Sequence, residues 1–173
     1  MHNLSHLLTG YWAGVYSQTD RVDLEDAVFT AVSPYLFLAY SDAKGDLRFV
    51  AAGSHVRKLL GQVVGRSYFT LWDISERHII KKLLGLSWET NEPLCFTAKA
   101  GLHNGLSCEL ESALFPVRQR DSQLTCYIGL FSPLHDVAEQ EILLPLKFIM
   151  SEKISDAITS EGATVIAFKG KTA

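Results

Sequence analysis

The sequence predicts an α+β fold in which a five-stranded antiparallel sheet carries its helices on one side. Three features support this prediction. The chain opens with apolar residues at helical spacing, short strand-like runs follow in neighbouring pairs, and the step Asn104-Gly105 separates two of the later runs. Asn-Gly is a strong hairpin signal because both residues tolerate positive φ. Strands joined by such tight turns pair antiparallel, which fixes the expected direction of the sheet.

Two strands are expected before a helical segment and three after it. The first two are rich in aromatic and apolar residues and are joined by a polar turn, and the last three are separated by the Asn-Gly step and by a polar hairpin tip. The predicted ranges are 35–40, 47–51, 94–100, 106–117 and 124–131.

Helical periodicity marks four stretches of the chain. The first carries an apolar stripe at spacings of three and four residues, made of Leu4, Leu7, Leu8, Tyr11, Trp12 and Val15. A short helix at 54–60 precedes a longer one, and the spacing of Asp73 and Glu76 predicts a capping box where the longer helix starts. Its apolar face consists of Ile79, Ile80, Leu83, Leu84 and Leu86.

A fourth helix is predicted to begin at Pro145, since proline suits the first position of a helix and apolar residues follow at helical spacing. We therefore divide the chain into an N-terminal helical extension at 1–20, a central domain at 21–134, and a C-terminal helix with a tail at 135–173.

Composition excludes several classes of protein. Sixteen basic and nineteen acidic residues give a formal net charge of −3, so we expect no binding to nucleic acid. The three cysteines are widely spaced and odd in number, which favours reduced thiols and a cytoplasmic location. No apolar run is long enough to cross a membrane, and the first residues lack the pattern of a signal peptide.

The motifs, taken in order, resemble the PAS domain family, and in particular a stand-alone PAS subfamily associated with alphaproteobacteria. The resemblance covers residues 8–133, and it depends on the order and spacing of short motifs. These are Leu8-x-x-Tyr11-Trp12, the apolar run 34–40, the run 47–54, Leu60-Gly61-x-x-x-Gly65-Arg66, and the acidic-to-apolar run 109–117 that contains Pro116.

The resemblance implies a PAS fold and a role in signalling. PAS domains bind a small molecule in the cleft between sheet and helices, or they dock onto other proteins. The residues outside the resemblance are too few for a kinase, cyclase or DNA-binding module. We therefore expect a regulator that acts through partner proteins of two-component or second-messenger pathways.

Two cofactors of PAS relatives are not expected here, and the identity of any other cofactor is unknown. Light-sensing relatives place a reactive cysteine in the motif Gly-Arg-Asn-Cys, whereas this chain has Gly65-Arg66-Ser67-Tyr68, which excludes cysteinyl-flavin chemistry. Haem would need a histidine on the long helix. His78 lies there, but its polar neighbours favour a surface position, so we expect no haem.

The resemblance places Tyr68 and Trp72 at the cleft, and inward-facing strand residues complete the predicted lining. Pockets are usually apolar with a few polar anchors, and these two residues offer both. Two alternatives remain open: the cleft binds a small-molecule ligand, or its own side chains fill it. The predicted cleft residues are Tyr68, Trp72, Phe37, Phe49 and Cys108.

The remaining expectations concern oligomeric state, enzymatic activity and metal binding. The stripe of the first helix must be buried, either against a second copy, which predicts a homodimer, or against its own sheet. Glu109 and Glu111 alternate along one strand and could pair for acid–base work, but nucleophile and phosphate-binding motifs are absent. We predict no enzymatic activity and no metal site, although His2 and His6 are four residues apart.

Overall fold

The computed structural model describes residues 3–16, 27–42, 44–118, 125–134 and 142–149. A six-stranded sheet forms its centre, so the α+β prediction is confirmed with one strand more than expected. The strands follow the order β2-β1-β5-β4-β3-β6, and every neighbouring pair is antiparallel. Their bounds are Leu36–Ser41 (β1), Leu47–Ala52 (β2), Leu94–Leu102 (β3), Ser107–Val117 (β4), Cys126–Pro133 (β5) and Ile142–Ile149 (β6).

The helical elements begin before the sheet and continue between its second and third strands. The N-terminal helix is followed directly by a π-helical segment, and two 3₁₀ turns occur later in the chain. The helices are α1 (Asn3–Tyr11), α2 (Ala27–Val32), α3 (Ser54–Leu60) and α4 (Arg77–Thr90); the π-helical segment is Trp12–Tyr16, and the 3₁₀ turns are Ser33–Tyr35 and Tyr68–Leu71.

The inner face of the sheet is the one that α3, α4 and the turn Tyr68–Leu71 cover. Alternate strand residues such as Phe37 and Phe49 point to it and form one apolar core with these helices. The long helix begins one turn later than its predicted capping box. Glu76 is the N-cap, and its side chain makes no capping hydrogen bond; the Asp73 carboxylate accepts the backbone N–H of Ser75.

The outer face is covered by α1, the π-helical segment and α2. Leu8, Tyr11 and Trp12 are buried there in a second core, and the Trp12 ring lies 5.6 Å from that of Phe115 on β4. Three residues of the apolar stripe are therefore buried against their own sheet, which was the alternative to a homodimer contact, whereas Leu7 is 47% exposed. Coverage on both faces also explains why β5 is buried almost continuously from Cys126 onwards.

The C-terminal helix predicted from Pro145 is wrong where the structure describes it. Residues 142–149 form β6, which pairs antiparallel with β3 at the edge of the sheet. An edge strand tolerates proline because its outward N–H groups are not needed for pairing. The remainder of that predicted helix, from Met150 onwards, lies outside the described residues.

Candidate functional site

The space between the inner face and the helices holds a cluster of aromatic side chains, here called the cleft cluster: Phe37, Phe49, Tyr68, Trp72, Phe96 and Phe131. Tyr68 lies at its centre and is fully buried. Its ring centroid is 5.8 Å from those of Phe37 and Phe49 and 6.2 Å from that of Phe131. These are the separations of aromatic rings in direct contact. The cluster therefore fills the centre of the cleft.

The chain folds this way locally because a loop ties the Tyr68 turn to β2. The Gly65 N–H donates to the Phe49 carbonyl, and the Phe49 N–H donates to the Arg66 carbonyl. Gly65 has a φ of +84°, which favours glycine at this turn. Ser67 then caps the turn by accepting the N–H of Phe69. The Gly-Arg pair of the sequence thus positions Tyr68 over the sheet.

Tyr68 has a polar partner in an otherwise apolar surrounding. Its hydroxyl lies 3.2 Å from Ser112 Oγ on β4, and either group can donate. Burial raises the pKa of Tyr68 well above its usual value, so the phenol is neutral at physiological pH. The pair anchors the Tyr68 ring and offers no charge to a ligand.

Trp72 forms the other end of the cluster. It is fully buried, with its ring 5.9 Å from Tyr68 and 5.4 Å from Phe96. Its indole Nε1 has no hydrogen-bond partner in the described part of the chain. Next along the chain, the Asp73 N–H donates to the Leu146 carbonyl of β6. The sixth strand thus helps to position the segment that carries Trp72.

Phe37 closes the cluster on the side of the central strands. Its ring is 5.0 Å from Phe49 and 5.1 Å from Phe131. It also lies over Gly129, its partner on β5, and a Cβ atom at Gly129 would overlap the ring. The glycine therefore provides the room that lets Phe37 lie flat inside the cleft.

The structure brings together four of the five predicted cleft residues, namely Phe37, Phe49, Tyr68 and Trp72. Cys108 belongs to the same core but lies four residues from Ser112 along β4, which is about 13 Å in a strand. Its thiol pKa is raised by burial. Sequence reasoning missed Phe96 and Phe131, although Phe131 shares its strand face with Gly129, and a glycine inside a strand signals close packing.

Two positions bear on the cofactors of PAS relatives, Tyr68 for flavin and His78 for haem. By the resemblance, Tyr68 stands where light-sensing relatives carry the reactive cysteine, and its hydroxyl lies beside Ser112 Oγ among the rings of the cleft cluster. His78 is exposed in the first turn of α4, so it does not face the cleft.

The residues considered for catalysis and metal binding do not form one site. Glu109 is exposed, whereas Glu111 is buried on the outer face of β4, so the two carboxyl groups do not share one environment. Within the described ranges, no group of three His, Cys, Asp or Glu side chains is placed to hold a metal. His6 is exposed, and His2 lies outside the described residues.

The described part of the chain also holds two cavities, one on each face of the sheet, that sequence reasoning did not predict. One, of about 340 Å³, is on the outer face next to α2 and is lined by apolar residues of β1 and β5 such as Leu38 and Ile128. The other, of about 280 Å³, lies between α4, the β1–β2 turn and the start of β5. Its lining combines Lys81 and Gly85 of α4 with aromatic rings from other elements, and no sequence motif marks such a combination.

No helix in the described part of the chain combines the length and the apolar character needed to cross a bilayer.

Comparison with solved structures finds similar folds at low identity. The PAS domain of a protein from Colwellia psychrerythraea is 14% identical with a TM-score of 0.46, and the match covers 61% of this chain and 92% of that one. The photo-excited blue-light photoreceptor Vivid is 17% identical with a TM-score of 0.47, covering 72% and 93%. A VqmA–ligand–DNA complex from Vibrio cholera is 16% identical with a TM-score of 0.46, covering 69% and 54%.

No curated protein matches the sequence. A family model does: the one described as PAS domain matches residues 1–132, which is well over half of the chain. The family expected from the sequence motifs is thus confirmed, and the chain belongs to the PAS domain family.

Proposed function

We propose that this protein is a cytoplasmic signalling regulator of the stand-alone PAS type found in alphaproteobacteria, and that it acts by docking onto partner proteins. PAS domains are sensory and signalling modules, which gives the general class. The partners we propose are proteins of two-component or second-messenger pathways. In this proposal the protein is no enzyme and has no flavin or haem.

One observation carries the choice of docking over binding of a cofactor in the cleft. The aromatic rings of the cleft cluster contact one another around a fully buried Tyr68. A ligand at this place would have to displace Phe37 or Tyr68, and expelling large buried side chains costs several kcal/mol. Such a cost favours a cleft that stays closed.

A physical link between the two faces of the sheet suits a docking regulator. On β4, Ser112 contacts Tyr68 on the inner face, while Ala113 and Phe115, one and three residues further along, pack on the outer face under the N-terminal helix. A partner that shifts α1 therefore acts on the strand that anchors Tyr68. We propose that partner binding and the packing of the cleft are coupled through β4 in this way.

We also propose that the protein forms a homodimer, but through a surface other than the apolar stripe of the N-terminal helix. Leu8, Tyr11 and Trp12 are buried within their own chain, so a second copy would have to use other residues. Sedimentation measured over a range of protein concentrations tests this part separately.

Binding experiments with cofactors test the closed cleft. Flavin mononucleotide and haemin are titrated into the protein while absorbance and tryptophan fluorescence are followed, with Trp72 as the reporter in the cleft. We expect no saturable change. A one-to-one complex that a Trp72→Phe variant reports differently from the native chain would overturn the proposal of a closed cleft.

Cross-linking in cells of the source organism tests the docking role. We expect a histidine kinase, response regulator or second-messenger enzyme to be enriched with the native chain, and to be lost with Trp12→Ala, which loosens α1. The control is Ile74→Ala, since Ile74 is 79% exposed and belongs to neither core. If the enriched proteins include none of these classes, the proposed partners are wrong.

A further inference from the structure

The pocket between α4, the β1–β2 turn and β5, here called the α4 pocket, has the features of a small-molecule site. Its volume of about 280 Å³ is close to the lower end of the range for ligand sites. Its lining residues are Ser41, Gly45, Leu47, Phe69, Lys81, Leu84, Gly85, Trp88, Thr125 and Tyr127. The cleft cluster lies next to it, since Phe69 of its wall follows Tyr68.

Lys81 supplies the only formal charge among these lining residues. Its Nζ lies 4.8 Å from the centroid of the Phe69 ring, and in the described part of the chain it has no carboxylate within 4.0 Å. The two aspartates of the β1–β2 turn form ion pairs with Arg48 instead. Arg48 Nε lies 2.9 Å from Asp42 Oδ2, and Arg48 Nη2 lies 2.8 Å from Asp46 Oδ2. The Lys81 ammonium is therefore available to an anion that enters the pocket.

The rest of the wall suits a flat apolar body. The rings of Phe69, Trp88 and Tyr127 line the pocket, and the Trp88 and Tyr127 centroids are 6.0 Å apart. The Tyr127 hydroxyl donates to the Leu84 carbonyl at 2.6 Å, which fixes its ring. Burial also raises the pKa of Tyr127, so this phenol brings no competing negative charge.

Gly85 keeps the pocket open on the helix side. It lies in the middle of α4, where glycine costs about 1 kcal/mol relative to alanine. A Cβ atom at Gly85 would meet no other atom within 4 Å, so the space in front of it is vacant. Because Gly85 lines the pocket and a Cβ meets no atom there, a larger side chain at this position provides a test of occupancy.

We propose that the α4 pocket binds a small aromatic carboxylate, with its carboxylate at the Lys81 ammonium and its ring among Phe69, Trp88 and Tyr127. A single lysine suits a monoanion, whereas phosphate sites commonly gather several donors. This site is separate from the closed cleft cluster, so the inference goes beyond the proposed docking function and does not depend on it.

Nuclear magnetic resonance titration with 3-phenylpropionate tests the inference, and 3-phenylpropanol is the neutral probe of matched shape. We expect saturable shifts of the Gly45 and Gly85 amides and of the Trp88 indole N–H with the acid. The alcohol should bind about three- to tenfold more weakly, since it lacks the charge that pairs with Lys81. Equal affinity for the two probes would overturn the assigned anion preference.

Three variants locate the binding. Lys81→Met should weaken binding of the acid about three- to tenfold and leave that of the alcohol unchanged. Lys82→Met should change neither, because Lys82 is also exposed on α4 but does not line the pocket. Gly85→Leu should abolish saturable binding, and its native amide spectrum checks that it folds. Saturable shifts that persist in Gly85→Leu, or no saturable shifts in the native chain at 10 mM probe (about the weakest affinity that such a site would show), would refute the site.

Discussion

Replacing Phe37 by alanine removes the ring that closes the cleft cluster. The side chain is 2% exposed and touches the rings of Phe49, Tyr68 and Phe131. Truncation of a buried phenylalanine in a packed core costs about 3–5 kcal/mol, because the lost transfer free energy adds to the cost of the cavity. For a chain of this length, that corresponds to a fall in Tm of about 6–20 °C.

Urea unfolding followed by circular dichroism measures this loss, and Leu38→Ala is the matched control. Leu38 is the next residue on β1, but it points to the outer face, where it is only half-buried beside a cavity. We expect its truncation to cost clearly less than that of Phe37. A loss below about 1 kcal/mol for Phe37→Ala would contradict the reasoning, since it would mean that the ring does not pack in the cleft.

Gly129→Ala completes a double-mutant cycle with Phe37→Ala. A Cβ at Gly129 overlaps the Phe37 ring, so the single change should cost about 1–3 kcal/mol. In the Phe37→Ala background the overlap is gone, and the cost should fall below about 1 kcal/mol. Additive effects would show that the ring does not lie over Gly129 in solution.

Three further predictions concern a hydroxyl, a thiol and the N-terminal helix. Tyr68→Phe should lower the free energy of unfolding by about 1–2 kcal/mol, because it leaves Ser112 without its hydrogen-bond partner. The loss should be smaller in a Ser112→Ala background. An equal loss in both backgrounds would contradict the hydrogen bond. Burial, with a smaller effect of Glu111, raises the pKa of Cys95 to about 12. As the pH rises, the unfolded state therefore loses the thiol proton before the folded state does. The free energy of unfolding should then fall between pH 9 and pH 12 by up to about 1.4 kcal/mol per pH unit. Cys95→Ala should reduce that slope in urea unfolding at pH 8, 9.5 and 10.5, and an unchanged slope would rule out the Cys95 thiol as its source. Trp12→Ala should cost about 3–5 kcal/mol and speed hydrogen exchange in α1, since Trp12 packs on Phe115, and unchanged exchange would show that the helix does not depend on this contact.

The sequence was sufficient for the elements whose signals are local. The Asn-Gly step predicted the β3–β4 hairpin. Tyr68 and Trp72 were placed at the cleft by resemblance, and the structure puts both inside it. Whether these two side chains line an open cleft or fill it depends on Phe96 and Phe131. Both come from strands distant in sequence, and a local sequence pattern does not predict such contacts.

The wrong helix at Pro145 and the questions that the sequence left open have the same origin. Pro145 suits the start of a helix as well as an edge strand, and only the free edge of β3 decides between them. The stripe of the first helix required burial, but the choice of surface depended on the outer residues of β4 and β5. The α4 pocket depends on the vacant space in front of Gly85, which is visible only once the helix has been packed on the sheet.

Native mass spectrometry of the freshly purified protein tests the central claim, that the cleft is closed by its own side chains. The measurement compares the native chain with Gly85→Leu, in which the α4 pocket is filled. We predict that Gly85→Leu shows only the mass of the polypeptide, 19.2 kDa per chain. A small molecule that remains bound to Gly85→Leu at one per chain, and is released on denaturation, would contradict the account.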